Sequence, residues 1–246
     1  MVIALLADIH GNLEALDACL KHAAAVGATR HVFLGDFVGY GADPEEVVVL
    51  IARFAGEGAV VIKGNHDEAI GKRAGYMNES TKHSIEWTRA ALSERSREFL
   101  EVLPLIAREG EMCFVHASAH NPTRWDYVDT PATARRSAEA AQATYTFSGH
   151  VHDQALYFEG ARGIWSVFQP IPGSPVPIRA RRRWLAIAGS VGQPRDGNPA
   201  AAYALFDSAR EEITFHRVAY DNLRAARKIR DAGLPEAHAY RVERGI

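Results

Sequence analysis

Apolar residues in this chain come in short runs that break off into polar ones. "VIALLA" (2–7), "HVFLG" (31–35) and "AVVIKG" (59–64) are apolar on both faces, the pattern of strands buried between layers. Between them, "LEALDACLKHAAAVG" (13–27) and "DPEEVVVLIARFAG" (43–56) repeat their apolar positions at helical spacing, and Pro44 suits a first helical turn. This alternation predicts an α/β layered fold. From about 67 to 108 the chain reads as helices, notably "SIEWTRAALSERSREFLEVL", before the β signal returns in "MCFVHA" (112–117) and "ATYTFSG" (143–149).

After His152 the pattern changes. "QALYFEG", "GIWSVFQP", "RRRWLAIAGS", "AAYALFDS" and "EITFHRVAY" read as strands separated by turns, predicting a second, largely antiparallel sheet. The tail, 221–246, begins helically and ends without an apolar stripe, the pattern of a mobile end. There are no repeats or low-complexity segments. At 246 residues the expectation is a single domain, 1–246, with a helical tail from about 221.

Composition narrows the classes of partner. With 28 Lys+Arg against 30 Asp+Glu the net charge is -2, so no global basic field recruits nucleic acid or an anionic membrane. An anionic substrate must be attracted locally. Cys19 and Cys113 are far apart in sequence and form no metal or disulfide framework; both read as core residues of a reducing compartment. "MVIALLA" has no basic flank and is interrupted by Asp8 and His10, too early for a signal peptide or spanning helix, so the expected location is cytoplasmic.

The candidate chemistry lies where the apolar runs stop. The first run ends in Asp8-x-His10, whose period-two spacing would point both side chains to one side of a strand. The second ends in Asp36, the third in Asn65, His66 and Asp67, and later runs end in His116 and in His150-x-His152. Strand ends in an open α/β sheet are where sites assemble. Carboxylate, amide oxygen and imidazole together suit manganese, iron or zinc better than calcium. Seven candidate ligands (Asp8, His10, Asp36, Asn65, His116, His150 and His152) exceed the needs of one ion. Two divalent ions about 3.5–4 Å apart, bridged by a carboxylate, would use them all, the usual device for displacement at phosphorus.

The set D-x-H, G-D-x-x-G, G-N-H-[DE], V-H and G-H-x-H, spanning residues 8–152, resembles the calcineurin-like metallophosphoesterase superfamily. The resemblance implies a four-layer α-β-β-α sandwich of two mixed β-sheets with a dinuclear centre at the sheet ends. It implies that Asp8, His10, Asp36 and His152 hold one metal, that Asp36, Asn65, His116 and His150 hold the other, and that Asp36 is the bridge. It further implies that the metals activate a shared water for attack on phosphorus. His66 takes the place of the family's histidine that stabilises the phosphoryl group or protonates the leaving oxygen; its other reading is a hydrogen-bond partner of the ligands. Asn12, in "HGN", is a candidate for support of the site or contact with substrate.

Two departures shape the expected substrate. Phosphoprotein phosphatases of this superfamily read G-D-x-x-D-R, where the Asp orients the catalytic histidine and the Arg grips phosphate; this chain has Gly39 and Tyr40. "GSVGQPRDGNPAAAYALFD" (189–207) resembles the closing motif of small bacterial members, a branch that includes phosphodiesterases and dinucleoside tetraphosphate hydrolases. Gly189 and Gly192 let backbone pass close to the site, and Arg195 is either a phosphate grip or a solvated turn residue. Trp125 and Tyr127 could stack on a nucleobase or pack a loop. Arg179, Arg181, Arg182 and Arg183 form a charged turn or meet a polyanion. "GYG" at 39–41 is no dinucleotide fingerprint, and His22, His31 and His216 read as structural. The expected function is metal-dependent hydrolysis of a small phosphorylated substrate, a phosphodiester or dinucleoside polyphosphate. The alternatives are a broad phosphomonoesterase or Ser/Thr protein phosphatase, and, from another class, a non-catalytic scaffold like the retromer subunit of this fold.

Overall fold

The computed structural model describes residues 1–71 and 77–246. In chain order the elements are β1 (Val2–Leu6), α1 (Leu13–Ala25), β2 (Arg30–Phe33), α2 (Pro44–Gly56), β3 (Val60–Val61), α3 (Asn65–Gly71), α4 (Glu79–Ala91) and α5 (Glu94–Val102). There follow β4 (Ile106–Glu109), β5 (Met112–Val115), α6 (Pro131–Ala141), β6 (Tyr145–Ser148), β7 (Ala155–Glu159), β8 (Trp165–Phe168) and β9 (Pro175–Pro177). The chain closes with β10 (Trp184–Ile187), β11 (Ala201–Asp207), β12 (Glu212–Val218), α7 (Asn222–Asp231) and α8 (Glu236–Arg244).

The strands form two six-stranded mixed sheets, ordered β3-β2-β1-β11-β12-β9 and β4-β5-β6-β10-β7-β8. The expected separate antiparallel sheet after His152 is therefore corrected. Each sheet takes three strands from before that residue and three from after it. β1 runs parallel to β2 and antiparallel to β11, with Leu5 opposite Ala204, while β10 is parallel to β6 and antiparallel to β7. Turn residues encode local hairpins such as β11–β12, but a pairing as distant as Leu5 with Ala204 depends on which faces meet in the core.

β1 shows how the layers arise. Ile3 and Leu5 point into an inter-sheet core with Val32, Phe114, Phe147, Phe206 and Phe215. Ala4 and Leu6 point the opposite way, against Leu16 and Cys19 of α1 and Val47 and Ile51 of α2. On the far side, Ala134 and Ala138 of α6 cover Tyr157, Leu185 and Ile187 of the second sheet. The result is the α-β-β-α sandwich, with Cys19 and Cys113 buried as free thiols.

The tail departs from the expected mobile end. α7 and α8 bury Ala225, Ala226, Ile229, Leu234, Ala239 and Val242 together, packed against Ala42 and Trp87. Lys228 of α7 pairs with Glu14 at 2.9 Å and with Asp43. On α8 the buried stripe consists of His238, Ala239 and Val242, too small and polar to read as an apolar face in sequence. Among the described residues no helix is long and apolar enough to cross a membrane.

Candidate metal centre

The strand ends of both sheets meet at one cleft. β1 stops at Leu6, so Asp8 and His10 are not strand residues, and the period-two argument for their shared direction is corrected. Both have left-handed backbone, φ 54° and 50°, as do Asp36 (56°), His150 (67°) and His152 (71°). Such conformations cost roughly 1–2 kcal/mol per non-glycine residue and persist only where surroundings impose them. Here the loops are tied together: Asp8 N donates to Gly35 O (3.0 Å), His10 N to Asp36 O (2.9 Å), Gly149 N to His116 O (2.9 Å) and Gly192 N to Asp8 O (2.9 Å). Gly64 allows a close approach, since a Cβ there would lie 2.1 Å from Asp36 Oδ1.

The candidate ligands are brought together in two groups: Asp8, His10 and His152 in one, Asp36, His116 and His150 in the other. Asp36 also lies 3.9 Å from His10 Nε2, joining the two. Asn65 Oδ1 is 3.2 Å from His116 Nε2, at the second group. All seven are buried.

Hydrogen bonds define what this cluster lacks. The Nδ1 atoms of His10, His116 and His152 face the carbonyl oxygens of Val38 (3.1 Å), Leu34 (2.7 Å) and Gln193 (2.6 Å), and the ring of His150 bonds the backbone of Trp125. A ring that donates from Nδ1 to a carbonyl presents a lone pair at Nε2, the arrangement in which metal-ligating histidines are held. Yet Nε2 of His10 and Nε2 of His152 face each other at 3.2 Å, and His152 Nε2 is 3.5 Å from Asp8 Oδ1. Asp8 Oδ1 and His150 Nε2 are buried without a hydrogen-bond partner. Acceptors converging on acceptors inside a protein are stabilised by cations, so the donor set fits divalent metal.

The electrostatics agree. Burial pushes the Asp8 carboxyl up to about 7. Burial also works to raise Asp36, but the imidazoles of His116 and His66 outweigh it and hold its carboxyl well below the ordinary range. Burial drives His10 and His152 well down and His150 to about 3. For His116 burial works downward as well, yet Asp36 and Asp8 raise it to about 9.

A cavity of about 510 Å³ opens over the cluster, lined by Asp36, Asn65, His66, His150, His152 and Arg195, with Tyr40, Trp125 and Tyr127 among its walls. His66 stands at its edge, Nε2 3.9 Å from Asp36 Oδ2 and its backbone N donating to Asp36 Oδ1 at 2.8 Å. Arg195 reaches the cavity with Nη2 on Gln193 Oε1 at 3.2 Å, and its Nε has no partner. Tyr127 is half exposed and stacks on His150 at 4.2 Å. Trp125 Nε1 donates to Glu68 at 3.1 Å.

Asn12 is not among the residues lining this cavity. Its Oδ1 caps α1 at Ala15 N (3.1 Å), and its Nδ2 donates to Gly192 O (2.9 Å) and the Tyr220 hydroxyl (3.1 Å), so the amide is spent on the fold away from the cavity. None of Arg179, Arg181, Arg182 and Arg183 lines the cavity; Arg183 forks onto Glu159 at 2.9 and 3.0 Å, and Arg182 lies over Phe158 and Trp184. His22 bonds Tyr203 (2.7 Å), His216 stacks on Tyr203 and His31 packs on Phe54.

Residues to which the sequence assigns no specific task also shape the site. Asp67 accepts from the backbone N–H of Asp36 (2.9 Å), Phe37 (2.9 Å) and Gly64 (2.8 Å), clamping the loop after β2 to the loop after β3. Its only signal is its place after Asn65 and His66, where it resembles any acid in a helix's first turn. Ser190 Oγ donates to Asp8 O (2.8 Å) and accepts from Gln193 N (2.9 Å), presenting the carbonyl that holds His152.

Comparison with known proteins agrees with this geometry. The profile of the calcineurin-like phosphoesterase superfamily domain matches residues 1–211. An uncharacterised protein of Methanocaldococcus jannaschii is 34% identical over 246 residues, covering 96% of this chain and 94% of its own. The crystal structure of a metallophosphoesterase from Sphaerobacter thermophilus superposes with a TM-score of 0.90 at 33% identity, covering 100% of this chain and 99% of its own. That of a hypothetical protein from Pyrococcus horikoshii gives 0.80 at 22% identity, over 100% and 98%, a likeness of fold.

Proposed function

The chain belongs to the calcineurin-like phosphoesterase superfamily, hydrolases of phosphoric esters, and from that premise we propose that it cleaves a small phosphodiester or dinucleoside polyphosphate with two divalent cations, manganese, iron or zinc. The observation that carries the reading is the pair of buried Asp/His clusters joined through Asp36, in which His10 Nε2 faces His152 Nε2 at 3.2 Å and Asp36 Oδ2 at 3.9 Å. Asp8, His10, Asp36 and His152 would hold one cation, and Asp36, Asn65, His116 and His150 the other. When bound, the pair would lower the pKa of water to supply a nucleophile near neutral pH and would neutralise the phosphoryl oxygens.

The chain's own groups do the remainder. Arg195 offers a guanidinium fork to phosphate oxygens from the cavity wall. His66, beside Asp36, delivers a proton from its ring nitrogen to the leaving oxygen as the P–O bond breaks and the bond from water to phosphorus forms. Trp125 and Tyr127 offer an aromatic wall to an organic substituent of the ester. About 510 Å³ is the size of a small-molecule site, which supports a nucleotide-sized substrate over a folded phosphoprotein. Location in the cytoplasm accords with two free cysteines.

A panel of chromogenic mono- and diesters, diadenosine tetraphosphate and a phosphoprotein, each with manganese, tests the reading. Preferential turnover of the diester or tetraphosphate is expected. Turnover of phosphoprotein alone would overturn the substrate class, and turnover of none would favour a binding scaffold.

A further inference from the structure

Asp36 faces Nε2 of His66 at 3.9 Å, but among the described residues no carboxylate holds the ring from its Nδ1 side. Its Nδ1 is buried without a partner, and the position that carries an orienting Asp in the phosphoprotein phosphatases is Gly39 here. That solution is closed to this chain: Gly39 has φ +82°, and a Cβ on it would lie 2.4 Å from His66 Nδ1. Any residue but glycine would push the ring out of place.

The ring is held by aromatic edges instead. Tyr40 meets His66 at a centroid distance of 4.6 Å and an interplanar angle of 63°, an edge-to-face contact. Tyr40 is itself fixed: its backbone is left-handed (φ 68°), its N–H donates to Ser84 Oγ at 3.2 Å and Thr81 hydrogen-bonds its side chain. Behind it lies His238 of α8, with centroids 4.6 Å apart, 2% exposed and anchored to Ser80 Oγ at 3.1 Å. The superfamily profile ends at residue 211, so His238 stands beyond the matched region.

We infer that Tyr40, backed by His238 of the tail helix, is the positioning residue of His66, doing by ring packing what a carboxylate does in the phosphoprotein phosphatases. The inference rests on the proposed catalytic role of His66. It also connects the docked tail to the chemistry, because α8 sets the ring on which proton delivery depends, through Tyr40, without touching substrate.

The experiment is a double-mutant cycle in the manganese-loaded full chain. Tyr40→Leu is expected to lower kcat by roughly tenfold with KM within about twofold, and His66→Ala by roughly 10²-fold. Adding Tyr40→Leu to His66→Ala should cost nothing further, because the positioned group is gone; Tyr40→Phe, which keeps the ring, should restore near-native kcat. His238→Ala should repeat the Tyr40→Leu effect at smaller amplitude and carries the same cycle if Tyr40→Leu does not fold. Losses that multiply in the double variant, or a Tyr40→Leu protein that binds less manganese than the native chain, would overturn the inference, since Tyr40 also packs on His10 at 4.6 Å. Ring orientation is read apart from turnover, in crystals of the metal-free Tyr40→Leu and His238→Ala proteins. A rotated His66 ring is expected in both; an unmoved ring would refute the positioning role even if the native chain cleaves no phosphate ester, a result that by itself would count against the proposed function instead.

Discussion

Two regions of this molecule, one on β1 and one in the loop that follows it, lie three residues apart from Leu5 to Asp8 and obey opposite rules. Between the sheets, Ile3 and Leu5 join Phe114, Phe147 and Phe206, all at most 1% exposed, with Phe147 5.7 Å from Phe114 and 5.2 Å from Phe206 ring to ring. Every contact there gains from burial, and the backbone is plain strand. At the rim, Asp8, His10, Asp36, His150 and His152 are buried too, but they are polar, left-handed in backbone and turned toward one another. The interior stabilises the fold, while the rim, without cations, works against it. Substitutions in the two places should therefore separate stability from metal binding.

The largest effect on stability is expected in the interior. Phe147→Ala should destabilise the protein by about 3–5 kcal/mol in urea denaturation while leaving the metal stoichiometry of the folded fraction unchanged. A loss below 1 kcal/mol would break the contrast. Asp67→Ala stands between the regions, for it strands three backbone N–H groups at once; a loss of about 2–3 kcal/mol together with weakened manganese uptake is expected. Uptake at native affinity would show that the two loops hold their places without the clamp.

The smallest effect should have the opposite sign. The Asp8 carboxyl is raised to about 7 by burial, so in the metal-free chain its contribution is favourable at pH 4 and below and is lost as pH rises through about 7. Asp8→Asn removes that loss, and the metal-free variant should exceed the native chain by about 1 kcal/mol at pH 8, the advantage shrinking to nothing by about pH 4. A variant less stable than native at pH 8 would mean that the rim is not under strain.

How far the sequence could be read follows the same division. The runs "VIALLA" and "HVFLG" announce β1 and β2 because a doubly buried strand leaves an unbroken apolar signal. The cleft residues could be found because each follows such a run, although the means of convergence could not: left-handed backbone at Asp8 and His10 leaves no mark in composition. The pairing of β11 with β1 was hidden for a different reason, since register over that distance is decided by the phenylalanines that meet between the sheets. Asp67 and Tyr40 stand inside the motifs without showing their roles there and His238 lies outside them, because a clamp on backbone N–H groups and a ring packed on a ring use residues that are ordinary elsewhere. Asn12 stands two residues from His10 in sequence, and that neighbourhood does not show that its amide caps a helix.

The most direct test of the shared carboxylate is the metal content of the native chain and of Asp36→Asn, each dialysed against manganese and measured by elemental analysis with the protein confirmed folded. About two equivalents are expected for the native chain and no more than one for Asp36→Asn. One equivalent or none on the native chain, or equal uptake by both proteins, would contradict the account.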